Sequence, residues 1–134
     1  MATATNTRSA KEAGMPTAMA PVTASAIKRA TEARDAVTLS GFYADDAVIQ
    51  IVDKSNPPSR PRELRGKQEI ADFLQDVCGR KMTHDVEAAA FEGNRLAFTE
   101  ACTYPDGTKV LCMAMAEVKD GSISRQTIVQ AWDE

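Results

Sequence analysis

The chain has 134 residues, a formal net charge of −3 and a hydrophobic fraction of 43%. That length allows one domain with a buried core and is short for two. With no dense Lys/Arg run and no apolar stretch near the ~20 residues of a membrane span, neither nucleic acid nor a membrane is an expected partner.

Residues 1–21, MATATNTRSAKEAGMPTAMAP, lack the continuous apolar stretch of a secretory signal and read as a mobile tail. The folded domain is then 22–134. Thr23 or Ser25 can cap a first helix that buries Ala26, Ile27, Ala30, Ala33 and Val37. Asp35 reads as a second N-cap, opening a shorter helix that carries Leu39, Phe42 and Tyr43. Residues 47–53 read as a strand, and KSNPPSRPRELRG, with three prolines, as a loop. Lys67–Cys78 is the clearest helix, with Ile70, Phe73, Leu74, Val77 and Cys78 on one stripe and Gly79 as its stop. Residues 83–132 form a meander of four strands with turns at Gly93-Asn94, Asp106-Gly107 and Asp120-Gly121. The fold class is α+β: a cone-shaped, bent mixed sheet, one early strand plus the four-stranded antiparallel meander, wrapped on three helices from the N-terminal half.

Two-residue loops at the Asp-Gly turns fix cross-strand partners and so assign faces. Phe98 then lies opposite Met115, Glu100 opposite Met113, and Cys102 opposite Leu111. One face carries Phe98, Glu100, Cys102, Leu111, Met113 and Met115, continued by Gln126, Ile128, Gln130 and Trp132. Large apolar groups with a few polar ones suit a cavity roofed by helices. The other face carries Ala97, Thr99, Ala101, Cys112, Ala114, Thr127 and Val129. It is small and mildly apolar, and is the expected surface of a homodimer. Cys102 and Cys112 fall on opposite faces and should not pair. At Gly93-Asn94 a two-residue loop puts Asp85 and Glu87 on the cavity face, and a three-residue loop puts His84, Val86 and Ala88 there. Glycine in first place favours the shorter loop.

FYADDAVIQ, a Pro-containing loop and LRGKQEIADFL together resemble the nuclear transport factor 2-like superfamily, in its SnoaL-like and ketosteroid-isomerase-like branch. The resemblance spans roughly residues 22–134. It implies the cone fold and a ligand pocket, and says little about the reaction, because the superfamily hosts isomerases, cyclases, hydrolases and binders. It makes Asp45 and Asp46 a structural corner. The isomerase general base would fall at Ile51, its oxyanion-hole Tyr at Ile27 and the second oxyanion donor at about Ala114 or Met115. None of those catalytic residues is present, so that mechanism is not expected.

Glu100 is the sharpest remaining candidate. A carboxyl among apolar groups has its charged form disfavoured, which suits acid or base work. His84 is the second catalytic candidate, the one imidazole in the chain. Tyr43, Phe73 and Trp132 could line the pocket and stack on a planar ligand. Ile51 and Asp53 sit on one face of the early strand, Asp53 towards the pocket mouth. Phe98, Cys102, Met113 and Met115 complete the wall with Gln126 and Ile128. The three cysteines have no C-x-x-C spacing, which points to reduced thiols and a cytoplasmic setting. No Cys/His cluster has metal-ligand spacing, so neither metal nor cofactor is expected. The residues thus support a binder of a small apolar molecule, acting as an isomerase, cyclase or hydrolase through a pocket carboxylate. The alternative is a non-catalytic binding or dimerisation module.

Overall fold

The computed structural model describes residues 21–134, so the tail read from residues 1–21 lies, all but Pro21, outside the described residues. Three helices and six strands follow in the order α1 (Ala24–Glu32), α2 (Ala36–Gly41), β1 (Tyr43–Val52), β2 (Arg62–Arg65), α3 (Gly66–Cys78), β3 (Thr83–Glu92), β4 (Arg95–Thr103), β5 (Lys109–Lys119) and β6 (Ser122–Trp132). They form one sheet in the order β2-β1-β6-β5-β4-β3, with β1 and β6 parallel and every other pair antiparallel. The α+β cone is as the sequence predicts, with one addition. β2 lies in the stretch read as loop, and pairs with β1 through Leu64 and Ile49.

The helix caps follow the sequence. The Thr23 hydroxyl accepts from Ala26 N, and Asp35 accepts from Thr38 N. Helix α2 is shorter than the pattern implies. Phe42 is its C-cap and Tyr43 already begins β1. Val37, read as buried, is exposed. The core lies between the helices and the concave face of the sheet, built on Ile27, Ile49, Ile51, Ile70, Leu96 and Ile123.

The predicted register fails at one strand. Phe98 pairs with Ala114, Glu100 with Cys112, and Cys102 with Val110. Cys112 and Ala114 therefore point into the cone, and Leu111, Met113 and Met115 point out, at 45%, 56% and 51% exposure. Two one-residue errors cause this. The first turn spans three residues, not two: Gly107 N donates to Tyr104 O and Tyr104 N to Thr108 O, with Gly107 at φ 92°. Pro105 suits the first corner of a type I turn, and Gly107 the left-handed residue that closes it. The second turn is the two-residue one predicted, with Asp120 and Gly121 both at positive φ. Beyond it Ser124 bulges, so that Glu117 pairs with Arg125 and Ala116 with Gln126. The two errors cancel across β5, leaving β4 and β6 on the expected faces and β5 inverted. Cys112 and Ala114 thus leave the expected dimer face, and Met113 and Met115 leave the expected cavity wall.

The Gly93-Asn94 loop has two residues, as favoured: Glu92 pairs with Arg95. Its expected consequence does not follow. Glu87 bulges between Val86 and Ala88, which turns His84 and Val86 onto the face of Glu100 and Cys102.

Candidate functional site

The concave face of the sheet and the helices above it enclose a cavity of about 210 Å³. Its floor is Phe98, Glu100, Cys102, Cys112, Ala114 and Ile128, and α3 closes it with Phe73 and Leu74. Tyr43, Ile51, Asp53, Gln126 and Trp132 line it as well, with Ile27 of α1. Of the sequence candidates, only Met113 and Met115 are absent from the wall. Cys112, Ala114, Arg80 and Tyr104 are wall residues the sequence reading missed. The Pro105 signal would have found the first two. Arg80 and Tyr104 are brought together by tertiary packing alone, and sequence offers no sign of them.

Three polar groups converge on one side of the cavity. His84 Nδ1 lies 2.6 Å from Glu100 Oε2 and 3.3 Å from Cys102 Sγ. The Cys102 thiol donates to the same Glu100 oxygen at 3.1 Å. The bulge at Glu87 makes this possible, since without it His84 would face outward. His84 is 8% exposed and its Nε2 is buried with no hydrogen-bond partner among the described residues. Its pKa is pushed up to about 9, first by its hydrogen bonds to Cys102 and Glu100, with the Glu100 charge adding and burial opposing. At neutral pH the imidazole is therefore charged and sits against a carboxylate. A hydrogen bond with Cys112, then burial, raises the Cys102 thiol far above its usual range, so it is a proton donor here and not a nucleophile. Cys102 and Cys112 interact on one face, contrary to the expected separation.

A second polar station faces this one. The buried Tyr43 hydroxyl donates to Gln126 Oε1. Burial, then the Glu100 charge, raises the Tyr43 pKa, so the phenol stays neutral. At the rim, Tyr104 stacks on Trp132 with ring centroids 5.9 Å apart, and Arg80 Nη1 donates to the Tyr104 hydroxyl at 3.0 Å. Asp53 is occupied by its own turn: Oδ1 accepts from Ser55 N and Asn56 Nδ2, both at 2.9 Å. These bonds hold the loop at the mouth of the cavity.

His84 Nδ1, Glu100 Oε2 and Cys102 Sγ lie within 4.8 Å of one another, and in kind they could hold zinc. Around a tetrahedral zinc, nitrogen and oxygen ligands sit roughly 3.3 Å apart. Here the 2.6 Å separation is that of a hydrogen bond. A metal would have to spread the cluster and strip the proton that the Cys112 contact and burial keep on Cys102. Hydrogen bonds among themselves hold His84 Nδ1, Glu100 Oε2 and Cys102 Sγ together as they stand.

A family model described as a SnoaL-like domain matches residues 24–126. Solved structures with the same fold include an NTF2-like protein of unknown function from Mesorhizobium loti, 18% identical, TM-score 0.69, over 78% of this chain and 84% of that one. A candidate ketosteroid isomerase from Kribbella flavida is 20% identical, TM-score 0.67, over 83% and 75%. An LEH-like epoxide hydrolase from M. tuberculosis is 19% identical, TM-score 0.58, over 80% and 78%. No curated protein matches the sequence. At these identities the structural likeness carries the fold and not the reaction.

Proposed function

The chain belongs to the SnoaL-like family, and on that premise we propose that it binds a small, mainly apolar molecule in the cavity and moves a proton on it. The reading rests on one observation, the buried His84–Glu100 pair in the cavity wall. Glu100 is the proton acceptor, positioned by His84 and Cys102. The unpartnered His84 Nε2 offers an N–H to an oxygen on which negative charge develops, as on the carbonyl of a ketone losing an adjacent proton. Such chemistry belongs to isomerases and cyclases. It does not use the ketosteroid isomerase residues, whose positions here carry Ile51, Ile27 and Ala114 or Met115. Those apolar replacements also favour a second reading, a non-catalytic binder of the same class of molecule.

Hydrogen–deuterium exchange at the α-carbon of 2-tetralone and phenylacetone, followed by proton NMR, separates the two. The wild type should accelerate exchange, and Glu100→Gln should lose on the order of 10²–10⁴ of that acceleration. Binding, read from the fluorescence of the one tryptophan, Trp132, should persist. Exchange equal in the variant and the wild type would leave the binder.

We also propose a homodimer through the outer sheet face, where Ala97, Thr99, Ala101, Thr127 and Val129 surround Leu111, Met113 and Met115. That face leaves four large apolar side chains exposed together, Val129 among them. Sedimentation should show a dimer that Met113→Asp converts to monomer, and a monomeric wild type at high concentration would contradict it. Three free thiols fit a reducing compartment, for which we propose the cytoplasm. Among the described residues no helix is long and apolar enough to cross a membrane.

A further inference from the structure

Beside the cavity lies a second, open cleft of about 640 Å³, lined by Glu32, Arg34, Lys81, Met82, Thr83, His84, Thr103, Tyr104 and Pro105. Met82, His84 and Tyr104 line both spaces. The two therefore share a wall of three side chains, one of them the His84 of the buried pair.

Besides the His84 of the shared wall, the cleft carries two cationic side chains with capacity to spare, Arg34 and Lys81. Arg34 Nη1 donates to the Arg80 carbonyl at 2.6 Å, which uses one of its five N–H donors and fixes the guanidinium at the rim. Lys81 is exposed and forms no ion pair among the described residues. The cleft's one carboxylate, Glu32, is engaged by Lys28 Nζ at 2.7 Å and Val86 N at 3.0 Å.

The backbone at Arg34 points the same way. Arg34 closes α1 in the left-handed region, φ 55°, with Arg34 N donating to Thr31 O and Asp35 N to Ala30 O. That is a Schellman closure, whose left-handed residue is usually Gly because a side chain there is strained. An arginine kept in a strained place suggests use of its side chain.

We infer that the cleft is a subsite for an anionic group on the ligand of the inner cavity, so that the molecule bound has an apolar body and a terminal carboxylate. The apolar body occupies the space among Phe73, Phe98 and Ile128. The carboxylate passes Met82 and His84 and is held by Arg34 and Lys81, with Arg34 supplying the geometry and Lys81 the point charge. The inference rests on the cavity reading above and adds the charge of the ligand to it.

The test compares 4-phenylbutyrate with the neutral 4-phenylbutyramide, each titrated into the full chain with Trp132 fluorescence as readout. The wild type should bind the carboxylate roughly tenfold tighter than the amide. In Arg34→Gln/Lys81→Gln the preference should fall to about twofold or less, with amide binding unchanged. Lys81→Gln alone alters an exposed side chain and leaves α1 intact, so a partial loss there guards against misfolding of the double variant. Equal affinities in the wild type would overturn the inference and leave the cavity reading standing. So would a preference that survives both variants, since the anion would then be held elsewhere. Failure of both compounds to bind would overturn the inference and the cavity reading together.

Discussion

Raising the pH from 6 to 9.5 should cost the wild-type protein up to about 3 kcal/mol of unfolding free energy through His84 alone. The sign follows from the direction of the shift. The folded-state pKa of His84 stands above its unfolded value of 6.5, at about 9, so the folded protein holds the proton more tightly. The stabilisation is complete below pH 6.5 and is lost as pH rises through about 9. His84 is nearly enclosed, so solvent does little to screen its contact with Glu100. Urea unfolding at several pH values tests this. The His84→Gln variant should be markedly less stable than the wild type at pH 6 and should approach it near pH 9.5. A constant difference across that range would mean the pair contributes no proton linkage.

The second large effect concerns β5. Ala116 is fully buried and Met115 beside it is half exposed. Ala116→Asp would bury a carboxylate without a partner and should cost more than about 4 kcal/mol, enough to unfold many domains of this size. Met115→Asp should change monomer stability by less than about 1 kcal/mol and should weaken the proposed dimer. Thermal unfolding of the two variants reads the register directly. Had β5 faced as the two-residue turn implies, the order of the two effects would reverse.

That strand marks the boundary of what the sequence revealed. The helices were legible because their signals are local: Asp35 caps α2, Gly79 follows α3, and Ile70 and Leu74 repeat at helical spacing. The four-stranded meander and the fold family were legible from the hairpin turns and from FYADDAVIQ, but the parallel pairing of β1 with β6 was not. The face of β5 was decided by one proline. Pro105-Asp106-Gly107 specifies a three-residue turn, and counting Asp-Gly alone shifts every partner by one. The bulges at Glu87 and Ser124 have no local signature, because a bulge is set by how the strand must bend to close the cone. β2 was hidden because it is a four-residue edge strand that begins directly after Pro61, the last of three prolines in the segment.

The candidate site was half legible for the same reason. Glu100 and Cys102 were placed on the cavity face by period two, and His84 was named as a candidate. Their meeting depended on the bulge at Glu87. The linear sequence shows no metal-ligand spacing, yet the sheet brings His84, Glu100 and Cys102 within hydrogen-bonding reach from adjacent strands. Arg34 and Lys81 drew no attention in the sequence, since isolated basic residues are common on surfaces. Only the left-handed backbone at Arg34 sets it apart.

The most direct test of the His84–Glu100 pair is an NMR titration of the imidazole. The chain has one histidine, so its resonances need no assignment. The wild type should titrate near pH 9, and Glu100→Gln should bring the midpoint clearly down, the Cys102 contact holding what remains of the rise against burial. A wild-type midpoint near 6.5 that Glu100→Gln leaves in place would mean the two side chains do not form the buried pair on which the proposed chemistry depends.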